Sequence, residues 1–474
     1  MENKIEDQEM KRELGLLDST MLVVGSMIGS GIFIVSADIT RSVGSAGWVI
    51  LIWVISGLIT LTAALSYGEL SAMFPKAGGQ YVYLREAYNK FVAFLFGWST
   101  FTVIQTGTIA AVGVAFAKFS AYIFPAVGPD HILFTLESFQ FNAAQLLSVV
   151  MVILLTWINS RGVKNGKIIQ TLFTITKILS LFGLIIFGLT TAFRSEIWQS
   201  NWAEPWKMVQ WKAGSNTAIA IGGSALFAGI ISSMVGSLFS SDAWNNVTFI
   251  AGEIRNPKRN IGLSLFLGTL IVTVIYILAN VMYTAVLPMV EIAHAPADRV
   301  AVAASQYIFG TSGTIIIAVM IMISTFGCNN GLILAGARVY YTMAQDGLFF
   351  KQAAHLNKFE VPGWGLWAQC IWTCMLCLSG TYGALLDYVV FVVLIFYILT
   401  IGGIFILRKK RPDAERPYKA FLYPVLPALY IVAAAVICIG LLIYKTDTAG
   451  YGLLIVLLGI PVYFISQRNL KNAR

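Results

Sequence analysis

The sequence predicts an all-α membrane protein of twelve transmembrane helices, with the first and sixth helices interrupted. Three observations predict it. Only 12% of the 474 residues are charged and 57% are hydrophobic, whereas a soluble domain carries about 25% charged residues. Apolar runs of about 20 residues, enough to cross ~30 Å of hydrocarbon, recur along the chain. Two of these runs carry glycine-rich or polar stretches at mid-span.

The expected spans are 15–40, 47–74, 90–124, 143–160, 168–192, 220–251, 261–287, 313–343, 364–380, 384–407, 421–443 and 449–467. The first is not a signal peptide. It is long, lacks a small-residue cleavage site and follows the mixed-charge tail M-E-N-K-I-E-D-Q-E-M-K-R-E. The third, sixth and eighth exceed an upright span, so tilt or interruption is expected there. The longest polar connections, near 192–218 and 288–312, are too short for a soluble domain.

Charge sets the orientation. With the N-terminus inside, the cytoplasmic segments hold 23 Lys and Arg and the external segments 6. That asymmetry places both termini in the cytoplasm and accounts for the net charge of +9. No excess is left for a nucleic-acid partner. The five cysteines (Cys328, Cys370, Cys374, Cys377 and Cys438) all fall inside spans, which argues against a disulfide framework. Cys370, Cys374 and Cys377 have helical spacing with no His or carboxylate close in sequence, which reads as packing. His131, His294 and His355 fall in loops without metal-ligand spacing. No phosphate-binding loop, nucleophile elbow or zinc-protease motif occurs. ATP-driven transport, enzymatic hydrolysis and a bound cofactor are therefore not expected.

The first interruption is V-G-S-M-I-G-S-G-I-F-I at 24–34. A break at bilayer depth is tolerated only where it is buried in protein or lines a cavity. Its amides then attract an anion and its carbonyls a cation. An amino acid zwitterion carries one of each. Gly29, Ser30 and Gly31 can present amides to a carboxylate, and the carbonyls of Ser26 and Met27 can face an ammonium. Close helix packing through Gly25 and Gly29 is the competing account. A second break favours binding, because transporters built on inverted repeats carry paired broken helices. The sixth run supplies it with S-S-D-A-W-N-N at 240–246. The two breaks are five spans apart, which suggests two five-helix repeats, 15–192 and 215–407. Two further helices (421–467) follow, with tails at 1–14 and 468–474.

Ionisable residues inside a bilayer are functional candidates by default. Lys177 lies about 14 Å into the fifth span at 1.5 Å per residue, too deep to snorkel easily. Asp242 is similarly deep, with capping of the sixth break and contact with substrate both open. Lys118 and Arg338 lie near span ends and are expected to snorkel. Glu69 is expected to pair with Lys76 or Arg85.

Several stretches resemble the amino acid–polyamine–organocation superfamily, and within it the L-type amino acid transporter group. They are G-S-M-I-G-S-G-I-F (25–33), Y-G-E-L-S-A-M-F-P-K-A-G-G-Q-Y-V-Y-L-R-E-A-Y (67–88), F-T-I-T-K-I-L (173–179), S-T-F-G-C-N-N-G (324–331) and A-R-V-Y-Y (337–341). F-S-S-D-A-W-N-N followed by G-E-I-R-N-P-K-R-N (252–260) also fits. The resemblance covers most of the chain to about residue 410. It implies a LeuT-type 5+5 inverted repeat working by alternating access. It also implies substrate contacts at Ser26, Met27, Ile28, Gly29, Ser30 and Gly31, and at Phe239, Ser240, Ser241 and Asp242. The Lys177 ammonium would occupy the place where sodium-coupled relatives hold an ion, between the first helix and the eighth near Ser324. Sodium-independent exchange of neutral L-amino acids across the inner membrane is the implied function. Proton-coupled symport stays open, since burial disfavours the charged form of an amine. So does a cationic substrate held by Asp242. Ser241 stands where the group often has an aromatic residue. No cysteine lies in 125–142, so no disulfide-linked heavy chain is expected.

Overall fold

The computed structural model describes residues 12–136, 139–212, 217–379 and 382–472. Residues 1–11 and 473–474 of the two expected tails lie outside them. The described chain is almost wholly helical. Eight helices are long and apolar enough to cross a membrane, and a ninth span is the bent pair α1 (Leu16–Met27) and α2 (Gly31–Val43). Three shorter apolar helices complete the set: α7 (Ala143–Asn159), α10 (Ser224–Ser240) and α15 (Gly363–Ser379). The exact number of crossings is therefore not fixed by helix length.

Local sequence explains where most helices begin and stop. α1 starts where the Asp18 carboxylate accepts from the Gly15 amide at 2.9 Å, the arrangement that satisfies a leading N–H. It stops at Met27, and α2 resumes at Gly31 after a bend of 41°. α3 (Ala46–Met73), the short α4 (Gln80–Ala87) and α5 (Lys90–Ser99) follow. A π-helical turn at Thr100–Ile104 joins α5 to α6 (Gln105–Ile123), so the long third run continues as one 34-residue span through a local widening. α7 is capped reciprocally by Asn142 and Gln145. α8 (Val163–Thr190) is continuous, and α9 (Ser195–Asn201) lies in the polar connection with a two-stranded ribbon, Val209–Trp211 and Ala218–Ala220.

The sixth run breaks after α10 and resumes as the single turn α11 (Asn246–Phe249). Pro257 opens α12 (Pro257–Val286) at the position where its missing N–H costs nothing. The short α13 (Met289–Ala293) leads to α14 (Val300–Gln345), kinked at Gly310, whose φ of +69° suits only glycine well. α15, α16 (Tyr382–Lys410), α17 (Val425–Tyr444) and α18 (Thr446–Asn472) end the chain.

The packing inverts the pattern of a soluble protein. One face of α7 and α8 exposes Val150, Ile153, Leu154, Leu172, Leu179 and Ile186, a continuous apolar surface suited to lipid. The interior holds Ser56, Ser237, Asn280, Thr325 and Asn330, all essentially inaccessible. α3 packs along α12, and α6 and α8 pack along α14. Between these groups run α1 and α2, with α10 lying against α2. Small residues permit that crossing. A Cβ on Gly31 would stand 2.0 Å from Ser240 Oγ, so the bare Gly31 backbone lies directly against the Ser240 side chain.

Candidate functional site

The carbonyls freed where α1 ends are held by four side chains from three neighbouring helices. Lys177 of α8 is fully buried, and its ammonium donates to Gly25 O at 2.8 Å and Ile28 O at 2.7 Å. Among the described residues it has no ion-pair partner. Ser324 Oγ of α14 donates to Ile28 O at 3.3 Å, and Cys328 Sγ, one turn on, to Ser26 O at 3.1 Å. Tyr276 of α12 donates its hydroxyl to Met27 O at 3.0 Å and lies 3.1 Å from Ser240 O. One phenol thus spans both breaks. The Ser26 and Met27 carbonyls, expected to face an ammonium, accept from Cys328 and Tyr276 in this structure.

The other side of the break offers amides. The first four N–H groups of α2 have no intrahelical acceptor. Phe33 N turns back to Ser30 O at 3.1 Å, and Gly29 N reaches Met27 O at 2.8 Å. Gly31 sits at the helix start, directly against Ser240.

The sixth break is held differently. Ser241 N returns to Ser237 O and Leu238 O, and Asp242 N to Phe239 O at 3.2 Å. Ala243 takes a left-handed φ of +64°, a conformation that costs a non-glycine residue energy. The Asp242 carboxylate is turned toward α16, where Tyr397 donates to it at 2.6 Å. Trp244 packs in a buried aromatic cluster with Tyr67 and Tyr397, ring centroids 4.8 and 5.2 Å away. Asn245 donates to Gln80, which donates to Thr400. Two small voids, each of about 20 Å³, border Asp242.

A cavity of about 540 Å³ reaches Ile34, Val35 and Gly236, just beyond the two breaks. Its mouth carries Asp38, Arg41, Lys118, Asp298, Asp387 and Lys445. Arg41 and Lys118 both pair with Asp298, at 2.8 and 3.2 Å. Lys118 thus has a carboxylate partner rather than simply reaching for the surface. Burial pushes the Asp298 carboxyl up, but Lys118 and Arg41 outweigh it and hold its pKa below the ordinary value. Lys445 pairs with Asp387 at 2.9 Å.

The opposite end is packed shut. Arg338, expected to snorkel, is fully buried and pairs with Glu253 at 3.0 Å. A residue at a span end can snorkel only if its helix faces lipid, and this face of α14 is covered. The chain before α1 pairs beside it, with Leu14 N on Glu253 O at 3.0 Å and Arg255 N on Leu14 O at 2.8 Å. Glu69, expected to meet Lys76 or Arg85, is instead bound by Arg408 at the far end of α16 and Arg416 in the loop after it. Arg85 goes to Asp346. Neighbours in sequence lost to partners more than 250 residues away.

This geometry is a backbone-lined crossing of two interrupted helices below an open cavity, with a buried ammonium fixed beside it. The family model for amino acid permeases matches residues 14–465. The chain belongs to the amino acid permease family. This permease is 30% identical over 462 residues to the serine/threonine exchanger SteT of Bacillus subtilis, covering 97% of this chain and 98% of that one. It is 30% identical over 459 residues to the human large neutral amino acids transporter small subunit 2, covering 96% and 80%. The human Asc-type amino acid transporter 1 is 29% identical over 458 residues, covering 96% and 82%.

In this permease, sequence reasoning missed Tyr276, Cys328 and Tyr397. Cys328 lies inside a stretch that carried the resemblance, but nothing marked its sulfur as a donor. Tyr276 and Tyr397 sit in apolar runs where a tyrosine gives no local signal.

Proposed function

We propose that this permease exchanges neutral L-amino acids across the inner membrane by alternating access, without sodium, with both termini in the cytoplasm. Its relatives' names, a serine/threonine exchanger and two amino acid transporters, support the substrate class. The observation that carries the coupling is the Lys177 ammonium between Gly25 O and Ile28 O. It puts a fixed positive charge on carbonyls that would otherwise suit a mobile cation. The three short apolar helices bring the expected spans to twelve, in two repeats at 15–192 and 215–407 followed by 421–467.

The substrate carboxylate sits on the amides of Gly29, Ser30 and Gly31, with Gly29 N exchanging its bond to Met27 O for the carboxylate. The ammonium lies between the two breaks, on carbonyls from Ser26 to Ile28 and Phe239 to Ser241. A carbonyl has two lone pairs, so one hydrogen bond from Tyr276 or Cys328 does not exclude a second from substrate. Ser241 and Asp242 border the side-chain end. The cavity beyond Val35 and Gly236 is the external entrance, and the Arg338–Glu253 side opens when the site turns inward. The absence of cysteine from 125–142 supports function without a disulfide-linked heavy chain.

Labelled serine uptake into proteoliposomes without sodium tests the reading. Exchange requires strong uptake into vesicles preloaded with amino acids and little into empty ones. Equal uptake into empty vesicles, raised by an inward proton gradient, would replace exchange with proton symport.

A further inference from the structure

A second cavity, unconnected with the substrate site, lies at the Lys258 end of α12. It is a groove of about 610 Å³ lined by Leu65 of α3, by Lys258, Arg259, Gly262, Leu263 and Phe266 of α12, and by Pro417, Tyr418 and Phe421 of the loop after α16. We propose that this groove binds an anionic phospholipid of the cytoplasmic leaflet, its phosphate on Lys258 and Arg259 and an acyl chain along Leu65, Leu263 and Phe266.

The lining divides by chemistry. Two cations occupy one end and apolar side chains the rest. From Lys258 to Phe266 the helix rises about 12 Å, the depth from a headgroup into the upper acyl region. Neither cation is committed elsewhere. The Lys258 pair with Glu415, at 3.0 Å, is more than half exposed at both partners, so it is weak and readily exchanged. The Arg259 guanidinium has no side-chain partner among the described residues. Phe421, 55% exposed, forms part of the apolar wall of the groove. An inorganic anion would leave the apolar length unfilled, and a neutral lipid would leave Arg259 without an anionic partner. Basic pockets between helices on the cytoplasmic side suit anionic headgroups.

The groove is also placed to matter. Its loop wall is tied to α3: Ala420 N donates to Glu69 at 2.7 Å, and the Tyr418 ring lies against Gly68. α3 and α12 pack together, and α12 carries Tyr276. A lipid here braces the loop against the helix that spans both breaks.

The test uses the full chain. Purified protein mixed with phosphatidylglycerol and phosphatidylcholine is examined by native mass spectrometry, as wild type and as the double variant K258Q/R259Q. Wild type is expected to retain phosphatidylglycerol preferentially. The double variant is expected to retain roughly 30-fold less, for two surface cations lost. Serine exchange is then compared in phosphatidylcholine vesicles with and without phosphatidylglycerol. It should rise with the anionic lipid in wild type only, with equal rates for both proteins in phosphatidylcholine alone. Equal retention by the two proteins, or no preference for the anionic lipid, would overturn the proposal. Because retention is read without transport, a protein that binds the lipid but exchanges no amino acid would count against the exchange reading alone.

Discussion

The two breaks face each other, yet they are stabilised in opposite ways. The first hands its carbonyls to other helices: Lys177 from α8, Ser324 and Cys328 from α14, Tyr276 from α12. The second closes its own turns through Ser241 and Asp242 and places its one acid on Tyr397. A break held from outside can respond to movement of its neighbours. The second break takes its outside contacts mainly through side chains, Asp242 on Tyr397 and Asn245 on Gln80, and shares Tyr276 at its backbone. Under the proposed exchange, the first break is the candidate for sensing site occupancy and the second the candidate for side-chain selection.

The largest test of that contrast removes the ammonium. Lys177→Met keeps much of the volume but strands Gly25 O and weakens the hold on Ile28 O. Each buried orphan costs about 1–3 kcal/mol, so exchange is expected to fall about a hundredfold. Proteoliposome exchange, read beside a thermal melt that reports folding, checks it. Near-normal exchange would mean that the first break, like the second, supports itself.

Tyr276→Phe comes next. It deletes one oxygen and leaves the ring on Trp53, 5.3 Å away, undisturbed. Its single proton is shared between Met27 O and Ser240 O, so a loss of about 1–1.5 kcal/mol predicts a roughly fivefold to tenfold fall in exchange. The hydroxyl ties the two breaks together, so the loss should appear in turnover more than in apparent affinity. A pure affinity loss would argue that the hydroxyl merely fills space.

These two residues also show what a single sequence reveals. The interruptions were legible because glycine and serine runs are conspicuous in an apolar helix. Lys177 was legible because a charge at that depth has few harmless explanations. Tyr276 was not, since its role depends on the rotation of α12 about its axis, which a uniformly apolar run does not encode. Arg338 and Glu69 misled for a related reason. Local spacing suggested lipid headgroups and nearby bases, whereas their partners, Glu253 and Arg408, lie 85 and 339 residues away. Chain distance is no guide once helices pack.

Asp242→Asn asks whether the second break selects side chains. Asparagine preserves the acceptor for Tyr397, so serine exchange should fall only about twofold to fivefold, the cost of weakening one charged hydrogen bond. A panel including arginine sharpens the result. Arginine exchange present in wild type and absent from the variant would assign a cationic substrate to this carboxylate.

The smallest effect belongs to the cavity mouth, away from both breaks. Asp298 is shared by Arg41 of α2 and Lys118 of α6, and its pKa in the folded protein is lowered. A lowered carboxyl contributes stability that is fully present above its unfolded value of about 3.9 and is lost as pH falls through the folded value. Thermal melts should therefore fall more steeply in acid for wild type than for Asp298→Asn, and differ little in that slope at neutral pH. The pairs are partly exposed, so the acid-dependent difference should be about 2 °C or less. Serine exchange at neutral pH should change less than in any variant above, because Asp298 touches neither Gly29 nor Ser240. An Asp298→Asn loss comparable to that of Lys177→Met would move control of exchange from the first break to the mouth of the cavity.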